Sequence, residues 1–161
     1  MSERRVAIIA GRRTPFVKAG KTFKDMGPLK LACYTVKGMI ERHEVDPAAV
    51  EALAYGVVVP EPGRPNLARE IVFEAGLPMS IEAQTISSYC ITGLRTITVI
   101  ADAIARDRIE VGVAGGVDSL SFQPHIARRV HGRGGLLLVR WARDLRQHVS
   151  PPRGSISRSS P

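Results

Sequence analysis

Apolar positions change period repeatedly along this chain, and the changes mark out its elements. Residues 6–10 form a continuous apolar run (Val6, Ala7, Ile8, Ile9, Ala10), which predicts a strand buried on both faces of a parallel sheet. Residues 28–42 switch to three- and four-residue spacing, with Leu31, Ala32, Thr35, Val36 and Met39 on one side, which predicts a helix. Asp46-Pro47 pairs a capping residue with a first-turn proline and predicts a short helix to about Leu53. A second strand follows over residues 54–59, ended by Pro60-Glu61-Pro62-Gly63. Residues 66–75 read as a helix that Gly76 terminates. Residues 83–88 predict a third strand and 91–106 a third helix, whose stripe is Leu94, Ile97, Ala101 and Ile104, with Arg95, Asp102 and Arg106 off it. Residues 109–114 predict a fourth strand. The β-α-β-α-β-α-β alternation implies an α/β fold with a mostly parallel sheet flanked by helices. There is no internal repeat.

This pattern draws attention to Cys90. It stands where the β-branched run Gln84-Thr85-Ile86-Ser87-Ser88-Tyr89 meets the third helix. In open α/β sheets reactive groups gather at the carboxyl ends of strands. A thiol at a helix start faces unpaired amide N–H groups and the positive end of the helix dipole, and both favour thiolate over thiol. Position alone leaves two readings open, a reactive nucleophile and an inert structural cysteine.

Composition narrows the setting. The chain has 161 residues, enough for one domain with a core, and only 5% aromatic residues, so that core is built from Val, Ile, Leu and Ala. Cys33 and Cys90 form no paired spacing and no Cys/His ligand pattern, which suits a reducing compartment and disfavours a zinc site. The polar start leads straight into a strand-like run rather than a secretory signal. No apolar stretch approaches the roughly twenty residues that span a bilayer. Cytoplasmic localisation is expected.

Charge divides the chain in two. Residues 1–122 carry fifteen Lys+Arg and fourteen Asp+Glu, whereas residues 123–161 carry eight arginines, no lysine and the single acid Asp144. Nearly all of the net +8 therefore belongs to the tail, and no whole-protein nucleic-acid signal follows. Within the tail, Leu138, Trp141, Leu145 and Val149 lie on one side of a loosely amphipathic helical pattern, with Arg140, Arg143 and Arg146 away from it. Such a helix would suit an anionic membrane or nucleic acid. The all-arginine basicity and the ending Ser155-Ile156-Ser157-Arg158-Ser159-Ser160-Pro161 suit instead the translation of an alternative frame of a GC-rich gene. The expected organisation is a domain over 1–122 and an irregular or disordered Arg-rich tail over 123–161.

Weaker motifs fall away. Gly20-Lys21-Thr22 resembles the end of a phosphate-binding loop, but Pro15 stands where that motif needs a glycine. Gly112, Gly115 and Gly116 lack dinucleotide-binding spacing, so close backbone approach is the expected reason for them. His43, Arg12 and Arg13 read as surface residues.

Four ordered segments carry a resemblance to the thiolase family. Val6-Ala7-Ile8-Ile9-Ala10-Gly11-Arg12-Arg13-Thr14-Pro15-Phe16 resembles its first strand and R-T-P-F turn. Asn66-Leu67-Ala68-Arg69-Glu70 with Ala75-Gly76-Leu77-Pro78 resembles the helix and loop before the nucleophile strand. Tyr89-Cys90-Ile91-Thr92-Gly93-Leu94 is similar to the C-x-[ST]-G-[LM] nucleophile turn, and Ala114-Gly115-Gly116-Val117-Asp118-Ser119 to A-G-G-x-[DE]-S. Ile91 departs from the usual alanine and Arg95-Thr96 from the usual lysine/glutamine-alanine pair, and both bear on acyl-chain preference. The resemblance ends near Ser121.

The resemblance implies one half of a fold that normally has two, and an acyl-CoA C-acyltransferase in which Cys90 holds the acyl group as a thioester. The Cys90 backbone N–H would be an oxyanion donor. Coenzyme A thioesters are implied as substrates, with no bound cofactor and no metal. A homo-oligomer is implied for the intact fold, with neither nucleic-acid nor membrane partners. The family's G-H-P-x-G, C-x-G-G-G and N-E-A-F segments do not occur in this sequence, so the chain alone is expected to be inactive. The alternatives are a non-catalytic half-domain that associates with a partner thiolase, or a binder of nucleic acid or membrane through its basic tail.

Overall fold

The computed structural model describes residues 5–122 and the backbone of 126–129 and 136–139. The chain divides into two compact units, Met1–Gln123 and Pro124–Pro161. The first is built on three parallel strands, β1 (Ala52–Gly56), β2 (Glu82–Ile86) and β3 (Gly112–Gly116), in the order β2-β1-β3. Ala52 pairs with Glu82 on one side and Gly112 on the other, and Gly56 with Ile86 and Gly116. The helix α1 (Pro28–Arg42) precedes β1, and α2 (Leu67–Glu74) and α3 (Thr92–Ala105) connect β1 to β2 and β2 to β3. This is the expected α/β architecture with a parallel sheet flanked by helices.

Alternation along the strands sorts the helices onto two faces. Leu53 and Tyr55 of β1 and Val113 of β3 pack with Leu29, Ala32, Val36 and Ile40 of α1 and with Leu67, Ala68, Ile71 and Val72 of α2. Ala52 and Ala54 pack on the other face with Ile100 of α3, joined by Ala114. The α3 side of the sheet is thus paved with small residues. A Cβ at Gly56 would strike the Thr92 methyl, and one at Gly112 would stand 2.8 Å from Ile100 Cγ2. Their absence lets α3 lie close against the sheet, as the glycine-rich strands predict.

Several local signals hold. The α1 bounds are Pro28–Arg42, with proline in the first turn. Asp46 caps its turn by accepting the Ala48 N–H at 2.9 Å, but the turn is a 3-10 helix ending at Ala49 rather than near Leu53. Asn66 caps α2 by accepting the Arg69 N–H at 3.1 Å, and Gly76 leaves it at φ +67.

Other expectations are corrected. Residues 6–10 do not form a strand: they run unpaired, with Ile8 and Ile9 each 80% exposed, along a cavity of about 520 Å³ also lined by Val113, Ala114 and Ile97. Among the described residues the four-strand β-α-β-α-β-α-β order is therefore observed with three strands, and β2 and β3 are the edges of the sheet. The second strand begins two residues earlier than expected, at Ala52, and the last begins later, at Gly112. The α3 face is rotated: Thr92, Thr96 and Ile100 are buried, while Leu94 is 64% and Ile97 39% exposed. In the second unit, β4 (Ile126–Arg129) and β5 (Leu136–Val139) pair antiparallel. β5 covers the first part of the segment whose pattern would also suit an amphipathic helix, and its four-residue apolar run after Gly134-Gly135 carries no helical period of its own. Trp141, Leu145, Val149 and the tail arginines from Arg140 onward lie outside the described residues.

Candidate active site at the β2–α3 turn

The candidate site is assembled by what precedes and follows Cys90. β2 is locked to α2 by a polar knot. Asn66 donates from its amide to Ala83 O (3.1 Å) and accepts from the Thr85 hydroxyl (3.0 Å), which itself accepts the Ala68 N–H (2.9 Å). Arg69 donates to Met79 O and Ile81 O at the entry to the strand. After Ile86 the chain turns through Ser88 and enters a 3-10 turn, Tyr89–Ile91, which runs into α3. Tyr89 lies at φ +51, in the left-handed region that bulky residues avoid. Cys90 is exposed, flanked by the exposed side chains of Tyr89 and Ile91.

Two buried threonines hold the turn to the sheet. The Thr92 hydroxyl accepts the Ser88 N–H and donates to Tyr89 O, each at 2.7 Å. The Thr96 hydroxyl lies 2.8 Å from Gly93 O and 3.0 Å from Gly115 O, one on the helix and one on β3. Thr96, a departure from the family pattern, is thereby a fully buried anchor of the helix. The sequence places Thr92 in the family motif and Thr96 among its departures, but a helix stripe drawn through the larger apolar residues misses the anchoring role of both. The signal is their four-residue spacing opposite glycine-rich strands.

The carboxyl ends of β1 and β3 close the floor. Asp118 accepts the N–H groups of Val58 and Val59 at 3.0–3.1 Å, and the Ser119 hydroxyl donates to Met26 O at 3.2 Å. The structure thus brings together the nucleophile-like turn, the Asn66 helix and the Ala114–Ser119 segment. The Arg12–Phe16 segment is not part of this cluster: Arg12 donates to Gly38 O on α1 at 2.6 Å, and Phe16 is 99% exposed.

The second thiol differs in setting. Cys33 is half-buried on α1, and burial, followed by the nearby Glu74 carboxylate, raises its pKa against the smaller opposing effect of Lys37. Its neighbour in charge coupling, Tyr55, is buried, and burial pushes the phenol up to about 12. Among the described residues no cluster of three or more His, Cys, Asp or Glu is placed to hold a metal ion. No described helix is long and apolar enough to cross a membrane.

The family pattern described as "Thiolase, N-terminal domain" matches residues 6–146. The chain belongs to the thiolase family. The match runs past Ser121, where the short motifs stop, into the Arg-rich stretch. The 3-ketoacyl-CoA thiolases of Shewanella sp. (strain ANA-3) and Shewanella baltica (strain OS155) are 40% identical to it over 120 residues, 74% of this chain and 28% of each thiolase. This chain thus spans less than a third of the length of these curated relatives. The crystal structure of the Bacillus anthracis acetyl-CoA acetyltransferase superposes with a TM-score of 0.71 at 27% identity, covering 79% of this chain and 33% of that one. The Acat5 thiolase of Ascaris suum, solved in complex with coenzyme A, gives the same score and identity over 81% and 34%.

Proposed function

We propose that Cys90 is the nucleophile of a thiolase-type acyltransferase that takes acyl groups from coenzyme A thioesters, as in fatty acid metabolism. The observation that carries this reading is an exposed thiol in the strained strand–turn–helix junction, within the C-x-[ST]-G-[LM] pattern. The Cys90 thiolate attacks the acyl carbonyl carbon, the new carbon–sulfur bond forms, the bond to the coenzyme A sulfur breaks, and coenzyme A leaves as a thiolate. The Cys90 backbone N–H donates to the oxyanion of the tetrahedral intermediate. Coenzyme A is substrate here, and the reading needs no resident cofactor or metal.

The reaction also needs a base for the thiol and an acid–base group for the second substrate's carbanion. The family segments that supply them are absent from these 161 residues. The chain therefore acylates at Cys90 but does not turn over. Incubation with an acyl-CoA followed by intact mass and peptide mapping should place one acyl group on Cys90 and none on Cys33, with loss in Cys90→Ser. Acetoacetyl-CoA thiolysis should stay at background. Acylation that survives Cys90→Ser, or turnover by the native chain, overturns this reading. Cytoplasmic localisation and a homo-oligomeric parent enzyme go with it.

One observation favours a second reading, a half-domain that associates with a partner thiolase. Leu94 on α3 is 64% exposed, with the less exposed Ile97 (39%) beside it, and so the helix presents apolar side-chain surface to solvent.

A further inference from the structure

We propose that Thr92 is the positioning residue for Cys90, acting through its hydroxyl on the Ser87–Ser88 and Tyr89–Cys90 peptide groups, one on each side of Tyr89. The proposal rests on the reading of Cys90 as nucleophile and assigns what holds it in place.

The Cys90 side chain is exposed, so its location is set by the backbone that carries it rather than by packing. That backbone is strained at the preceding residue. Tyr89 sits at φ +51 with its own ring 82% exposed, so the ring does not hold the conformation either. Left alone, a residue of this kind relaxes toward negative φ and swings Cys90 with it.

Thr92 opposes that relaxation. A hydroxyl has one proton to donate and lone pairs to accept with. Here the lone pair takes the Ser88 N–H on the entry side of Tyr89, and the proton goes to the Tyr89 carbonyl on the exit side, both at 2.7 Å. Rotation about Tyr89 breaks one or both bonds. The side chain that makes them is only 4% exposed, and its methyl rests where Gly56 lacks a Cβ, at the end of the central strand. Thr92 thus ties both sides of a strained residue to the most buried strand of the sheet. Its two functional parts are separable: the methyl seats the side chain, and the hydroxyl clamps the turn.

The test measures iodoacetamide alkylation of Cys90 and of Cys33 in the full 161-residue chain, by peptide mass spectrometry, alongside thermal melting. Thr92→Val keeps the shape and removes both hydrogen bonds; Thr92→Ser keeps the hydroxyl and removes the methyl. The Cys90 rate should fall about two- to tenfold in Thr92→Val, the range expected for a lost hydrogen bond, and return close to native in Thr92→Ser, with Cys33 unchanged. A role in folding alone would loosen the turn and leave Cys90 as fast or faster, and that result overturns the proposal. Equal losses in the Val and Ser variants, or parallel changes at Cys33, overturn it as well. If Thr92→Val melts below the assay temperature, the same pair is compared in a Tyr89→Asn background, where left-handed backbone is cheaper; the Val-to-Ser ratio at Cys90 must still favour Ser. Failure of the nucleophile reading shows separately, as a native Cys90 that no acyl-CoA modifies.

Discussion

Tyr55 shows how one residue couples the core to pH. Its ring lies against Gly115 of β3, where a Cβ would collide with it, and burial pushes the phenol from 10.0 to about 12. Between those values an unfolded chain carries tyrosinate while the folded chain keeps the proton. The unfolded state then binds fewer protons, so this contribution to stability is complete below about pH 10 and falls as pH rises toward 12. Raising of the Cys33 pKa by burial acts in the same direction. The urea midpoint should therefore drop more steeply at alkaline pH in the native chain than in Tyr55→Phe, which keeps the ring on Gly115. Parallel pH profiles for the two would show that Tyr55 ionisation is not what weakens the fold. At this scale the place of Cys90 at a strand–helix junction was visible in the sequence, since strand, turn and helix signals converge on it. The strain at Tyr89 was not, because nothing in a tyrosine announces a positive φ.

The elements were legible where the signal was local. Caps, prolines and glycines bound α1 and α2 correctly because each acts on its own neighbours through backbone hydrogen bonds. The rotation of α3 was not legible. Leu94, Ile97, Ala101 and Ile104 share a three- and four-residue spacing, but so do Thr92, Thr96, Ile100 and Ala103. Periodicity identifies a helix without choosing between two such faces. The sheet makes the choice: Ala52, Ala54 and Gly56 leave room for a close approach, and threonines fit that gap while donating to backbone carbonyls. Gly56→Ala tests this account. The added methyl meets the Thr92 methyl, so overpacking should cost about 1–3 kcal/mol in chemical denaturation. A simultaneous Thr92→Ser should recover part of the loss by making space. If Gly56→Ala is neutral, or the double variant is no better, α3 is not seated by that contact.

For the molecule as a whole, the misread residues point to one cause. Residues 6–10 have the composition of a buried strand, and Leu94 and Ile97 that of a buried helix face, yet Ile8, Ile9 and Leu94 are each more than half exposed. Their sequence pattern fits a fuller set of packing partners than the first unit provides. The thiolases it resembles are more than three times as long as the matched portion. Exposed apolar surface of this kind lowers its free energy by association, and among the described residues β3 is an edge strand. The 161-residue chain should therefore elute from size exclusion above its monomer mass, with apparent size rising with concentration. Leu94→Glu should shift it toward monomer without lowering its melting temperature, since that side chain is 64% exposed and belongs to neither core cluster. A native chain that runs as a monomer at every concentration, binding no hydrophobic dye, would mean that these side chains are tolerated in water. It would remove the main support for the reading of this chain as a half-domain that seeks a partner, and leave the Cys90 chemistry standing alone.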